Sequence, residues 1–216
     1  MIRLVILDFD GVVLESVSVK TEAFRKLFAD YPGHIGTIVQ FHLENGGMSR
    51  YDKFRYIFRE ILHENLSTEM EENLSAQFSE LVFNGVINAP FVPGADRFLE
   101  VYSSQYPMYI VSATPEDELR RIVRIRQIEP RFQGICGSPK KKEENIAAIL
   151  SRTPVKKEEI LFVGDSVNDW IAARKSGIQF IGRVKPGDPD PFTGTAGICS
   201  VIPDLKQLGQ IIEGLP

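Results

Sequence analysis

Two carboxylates one residue apart close an apolar run at the start of the chain: Arg3-Leu-Val-Ile-Leu7 leads into Asp8-Phe9-Asp10-Gly11. Acids placed where water is thin cost free energy unless a charge or hydrogen bond compensates them. In such a place they can serve as nucleophile, as general acid or base, or as ligands of a hard cation. Further on, Gly164-Asp165-Ser166-Val-Asn-Asp169 carries two acids four residues apart, which a helix starting near Ser166 sets on one face. Asp165 alone would read as a helix cap. Together with Asp8 it makes an oxygen-rich, anionic pocket of the kind magnesium takes. Ser112 adds a hydroxyl behind another apolar run. Lys140, Lys141 and Lys142 follow Ser138-Pro139, which predicts a helix start, where each cation opposes the helix dipole by about 0.3–1 kcal/mol. Most of that run suits solvent; one lysine turned toward the acids would explain why the cluster is tolerated.

The elements that must position these groups follow from the apolar pattern. Short β-branched runs at Arg3–Leu7, Met108–Val111, Gly134–Cys136, Ile160–Val163 and Ile178–Ile181 predict buried strands. Helical stretches between most of them predict βαβ units, and so an α/β fold with a doubly wound, Rossmann-like parallel sheet. Thr114, Pro115 and Asp117 predict a helix start over Thr114–Gln127, and Gly177 a stop after Asn168–Ser176. Ligands of such sheets collect beyond the carboxyl ends of the strands. Asp8, Asp10, Ser112 and Asp165 all fall there. From Val17 to Phe83 the pattern is helical throughout, in roughly four pieces broken at Tyr31-Pro-Gly33, Asn45-Gly-Gly47 and Asn65-Leu-Ser67. The expected division is therefore a core of residues 1–16 and 84–216 with a small all-helical domain, 17–83, inserted after the first strand.

Composition sets the bounds. The chain has 216 residues, 43% hydrophobic and 25% charged, with a formal net charge of -4. That length buries a sizeable core, and the charge gives no basic field for nucleic acid. No apolar run approaches the ~18 residues of a membrane span, and Asp8 interrupts the N-terminus too early for a signal-peptide core. Cys136 and Cys199 lack any paired spacing, so reduced thiols in a cytoplasmic protein are expected. His34, His42 and His63 read as surface or packing residues.

These residues, in this order and spacing, resemble the haloacid dehalogenase-type phosphotransferases over nearly the whole chain, within the branch that holds phosphoglycolate phosphatase-like and β-phosphoglucomutase-like members. Asp8-Phe-Asp10-Gly-Val12 resembles the first motif, Ser112 the second, Lys142 (or Lys141) the third, and Gly164-Asp165-Ser166 with Asp169 the fourth. The resemblance implies that Asp8 attacks phosphorus and forms a phosphoaspartyl intermediate. Asp10 would protonate the leaving alcohol and then activate water, which requires its pKa to be raised. Magnesium would bind to the Asp8 carboxylate, the Asp10 carbonyl, Asp165 and Asp169, while Ser112, the Ala113 N–H and Lys142 hold the phosphate. Residues 17–83 would form a cap that selects the leaving group. Within it Ser49 and Asp52 make a capping-box-like pair that places Arg50 and Lys53 three apart on one face. Both are expected to meet an anionic or polyhydroxylated part of the substrate, with exposed helix charges an equal alternative. The implied activity is magnesium-dependent hydrolysis of a small phosphorylated metabolite by a monomer or weak homodimer. Its rivals are a phosphomutase and a non-catalytic phospho-ligand binding module.

Overall fold

The computed structural model describes residues 1–215. Leu4–Leu7 forms β1, whose four side chains are all buried. Alternation splits them: Val5 and Leu7 join one apolar cluster, Leu4 and Ile6 the other, so the strand is covered on both faces. It pairs in parallel with β2 (Met108–Pro115) and β4 (Ile160–Gly164); β3 (Gly134–Ser138), β5 (Gln179–Arg183) and β6 (Ser200–Ile202) extend the sheet in the order β3-β2-β1-β4-β5-β6. β1 lies where the strand order reverses direction, the place at which an open parallel sheet leaves a crevice.

Four helices follow β1: α1 (Val17–Leu27), α2 (Ile35–Glu44), α3 (Arg50–Tyr56), continued by a π-turn segment over Ile57–Leu62, and α4 (Thr68–Asn88). Ser49 caps α3 by accepting the Asp52 N–H, and Ser67 caps α4 through Met70. The expected boundary at residue 83 falls inside α4, which runs on to Asn88. The reason is local: nothing breaks the helix until Ala89, held extended before Pro90. The two connections lie side by side, with the Glu15 N–H donating to Pro90 O and the Val92 N–H to Val13 O. Phe24, Phe28, Phe54 and Phe78 interlock α1, α3 and α4, with Phe24 and Phe78 edge to face at 4.9 Å. The same cluster continues into Val5 and Leu7 of the sheet.

Helices α5 (Ala95–Tyr102), α6 (Glu116–Ile125) and α9 (Leu208–Gly214) cover the Val5 face, and α7 (Lys142–Arg152) and α8 (Val167–Ser176) the Leu4 face. Two expected helix starts move. β2 continues through Pro115, so α6 begins at Glu116 and Thr114 is a strand residue rather than a cap. Ser138 ends β3, and α7 begins at Lys142, leaving Lys140 and Lys141 exposed in the connection. α8 stops at Gly177 as the sequence predicts. Among the described residues no helix is long and apolar enough to cross a membrane.

Because the aromatic cluster of the insert is continuous with the sheet face, the two should unfold together. Phe54→Ala, at a fully buried site, should cost ~3–5 kcal/mol. Urea unfolding followed by fluorescence of Trp170, which sits on α8 far along the chain, should show the loss; an unmoved Trp170 midpoint would contradict a shared core.

Candidate active site

Strand pairing fixes the first carboxylate. The Asp8 N–H donates to Val163 O on β4 at 2.9 Å, which places Asp8 and Asp165 at adjacent strand ends. Asp8 Oδ1 accepts the Phe9 N–H at 2.7 Å, and Oδ2 accepts from Lys142 Nζ at 2.9 Å. Gly11, at φ +76°, then turns the chain away, and a Cβ there would overlap the Asp165 carboxylate. Ser112, 1% exposed on β2, faces the same cavity as Asp8, Asp10, Ala113 and Asp165. Its volume is about 90 Å³. Of the three clustered lysines, Lys142 is the buried one; as the first residue of α7 it donates to both Asp8 and Asp169.

Asp8, Asp165 and Asp169 each present one oxygen within 4.8 Å of the others. When all three carboxylates are ionised they face one ammonium, which leaves two negative charges for a divalent cation to neutralise. Burial, then Asp169, pushes the Asp8 carboxyl up to about 7, against the pull of Lys142. Asp165 is raised by burial and by Asp8. Lys142 resists the downward push of burial because Asp169 and Asp8 hold its ammonium charged. The donor set fits magnesium: all oxygen, anionic in excess, and with no protein hydrogen bond to the Asp165 carboxylate among the described residues. Asp169 is more committed, since Lys142, the Ser166 hydroxyl and the Ser166 N–H occupy its oxygens.

Asp10 differs from expectation. Burial raises its carboxyl, but the Lys20 ammonium and hydrogen bonds from Lys20, Ser16 and Thr114 outweigh this and hold it below the usual range. Ser16 donates at 2.6 Å and Thr114 at 3.0 Å, while Lys20 pairs with Oδ2 and also donates to Thr114 at 2.7 Å. The expected upward shift therefore gives way to a downward one, because a cation absent from the motif reading stands beside it. Spacing carried a signal: Ser16 and Lys20 are four apart at the start of α1 and share a face. Thr114, expected as a helix cap, is instead a strand residue whose hydroxyl holds Asp10.

The expected cap residues are both buried, not exposed. Arg50 lines the cavity but donates to Ser75 O at 3.2 Å, to the Ser79 hydroxyl, and to Glu118 of α6 at 2.9 Å. It joins the insert to the core instead of standing open to a ligand. Lys53 lines the same cavity, donating to His42 Nδ1 at 3.1 Å and His42 O at 3.0 Å. Two further contacts close the insert on the core: Asn168 Nδ2 donates to Gly46 O at 2.6 Å, and Gly47, at φ +72°, sits against Ser166 so closely that a Cβ would overlap its hydroxyl.

A family model described as haloacid dehalogenase-like hydrolase matches residues 5–183. The chain is 25% identical over 183 residues to Phosphoglycolate phosphatase 1 of Pseudomonas aeruginosa, covering 82% of this chain and 67% of that one. It is 26% identical over 198 residues to a phosphoglycolate phosphatase of Vibrio parahaemolyticus, covering 84% and 83%. The crystal structure of a hydrolase from Pseudomonas syringae superposes with a TM-score of 0.80 at 20% identity, over 98% of both chains, and shares the fold.

Two outcomes follow from these charges. In the fold Asp8 keeps its proton up to about 7, against 3.8 for the free group. Between those values the folded chain binds more protons than the unfolded one, so stability falls as pH rises. In a chelator at pH 8, Asp8→Asn should raise stability by roughly 1–4 kcal/mol, a melting shift of several degrees that shrinks on acidification toward pH 4. A gain that grows on acidification would contradict this. Glu118→Gln strands the buried Arg50 charge and should cost ~3–5 kcal/mol in urea unfolding.

Proposed function

This chain belongs to the haloacid dehalogenase-like hydrolase family and is a phosphatase of that family, and on that premise we propose that it hydrolyses a small phosphate monoester, with magnesium, through a phosphoaspartyl intermediate on Asp8. The observation that carries this reading is the convergence of Asp8, Ser112 and Asp165 from three adjacent strand ends, with Lys142 donating to Asp8.

Asp8 and Asp165 would hold the metal, with the Asp10 carbonyl, and Asp169 beside them. When bound, magnesium neutralises the acid cluster and withdraws charge from the phosphoryl oxygens. The protein residues do the rest. Lys142 and Ser112 orient the phosphoryl group, aided by the Ala113 N–H. At ~4 Å and an effective dielectric near 20, each pair of like charges repels by about 4 kcal/mol, so the Lys142 ammonium is needed for two anions to meet. An Asp8 oxygen bonds to phosphorus as the bond from phosphorus to the alcohol oxygen breaks. The Lys20 ammonium, hydrogen-bonded to Asp10, supplies a proton that the Asp10 carboxylate relays to that oxygen. In the second half Asp10 takes a proton from water and returns it to Lys20. The hydroxyl bonds to phosphorus, the acyl phosphate bond breaks, and Asp8 returns as carboxylate. The ionised state that Lys20 enforces on Asp10 suits this second role.

The helical insert, bounded by the paired connections near Glu15 and Pro90, acts in this reading as the cap over the leaving group. The two relatives are named for phosphoglycolate, a small ester of this class.

With magnesium and a labelled ester, rapid acid quenching should trap label on Asp8, and Asp8→Asn should abolish phosphate release by at least a thousandfold. Steady release without trapped label, or substantial activity in the variant, would remove Asp8 as nucleophile.

A further inference from the structure

Lys53 is a charge that the proposed chemistry leaves over. The other cations around the cavity have carboxylate partners: Lys142 has Asp8 and Asp169, Lys20 has Asp10, and Arg50 has Glu118. Lys53 is 4% exposed, and among the described residues no carboxylate oxygen lies within 4.0 Å of its Nζ. Two of its three N–H bonds are taken by His42, at Nδ1 and at the carbonyl. Its Nζ also lies 5.6 Å from the centroid of the Phe24 ring, on which His42 packs at 4.2 Å.

His42 is itself buried and pushed down to about 2, by burial and by the Lys53 and Lys20 charges. It is therefore neutral, with Nδ1 the acceptor and its proton on Nε2. It aims the ammonium without neutralising it. Burial, then Lys20, pulls Lys53 down to about 7, in spite of Asp165 and Asp10. A buried ammonium without a counter-ion costs free energy. An arriving anion would relieve that cost. The cavity that Lys53 shares with Asp8 and Ser112 also has to take the phosphoryl group, so an anion at Lys53 would be a second, separate charge on the same substrate. One ammonium with one free N–H matches a carboxylate.

We propose that Lys53, aimed by His42, receives a carboxylate on the leaving alcohol, making it the residue that selects phosphate esters of two- or three-carbon hydroxy acids over uncharged esters of equal size. This rests on the phosphatase reading above and assigns the selection to Lys53, not to Arg50.

The test compares two matched pairs with magnesium: phosphoglycolate against 2-hydroxyethyl phosphate, and 3-phosphoglycerate against glycerol 1-phosphate. In the wild type the charged member of at least one pair should exceed its partner at least tenfold in kcat/KM. In Lys53→Met, which keeps the apolar stem and removes the charge, the ratio should collapse below threefold while the melting temperature does not fall. Lys53→Arg keeps the charge and should retain at least threefold preference. In an Asp8→Asn background, calorimetry should show phosphoglycolate binding weakened at least tenfold by Lys53→Met. A wild-type ratio below threefold in both pairs, or a Lys53→Met variant that slows both members equally, would overturn the assignment and leave the phosphatase reading standing. Phosphate release from none of the four esters would overturn both.

Discussion

The site depends on one interaction: a buried ammonium, Lys142, shared between the carboxylates of Asp8 and Asp169. A parallel sheet covered on both faces sends its central strands into a region with little water, and two of them end in acids. Without compensation those charges would repel each other and favour opening. Lys142 supplies one positive charge from the first position of α7, where the chain has just left β3. The compensation is partial by construction. What is left is a negative excess with the Asp165 carboxylate unpartnered among the described residues, which is how a fold keeps a place for a divalent cation without being stable in that arrangement alone.

The second acid is handled separately. Asp10 belongs to an ion pair with Lys20 and to hydrogen bonds from Ser16 and Thr114, so two neighbouring carboxylates stand in opposite electrostatic states. Environments that drive titratable groups apart assign their roles. Lys20 comes from α1, the first helix of the insert, while Thr114 comes from β2 of the core. Asp10 is thus held by both parts of the molecule.

The insert is tied to the core at several points around the cavity: the buried Arg50–Glu118 pair, Asn168 on the Gly46 carbonyl, and the close approach of Gly47 to Ser166. These contacts determine how much space remains above Asp8 and which side chains look into it. Arg50 is taken up by this joining, and Lys53 is not.

Local rules reach far in this chain. Short apolar runs predict five of the six strands and the parallel sheet, because a strand buried on both faces needs no partner to be recognised. They missed β6, three residues behind a Pro/Gly-rich loop, too short to carry a period. Ser138-Pro139 and Thr114-Pro115 looked like helix starts because their residue types suit caps; strand pairing claimed Ser138 and Thr114 instead. Asp8, Asp10, Ser112, Asp165 and Asp169 are legible as candidates from type and spacing, and the lysine only as Lys141 or Lys142, a choice that burial of Lys142 makes. The state of each charge is not legible there. It is decided by partners distant in sequence: Lys142 lies 134 residues from Asp8, Lys20 lies 94 from Thr114, and Arg50 lies 68 from Glu118. Sequence alone determined which groups can do chemistry, since that is a property of the side chain. Only the tertiary structure decided which are ionised, paired or left open, since a charge's energy depends on what surrounds it.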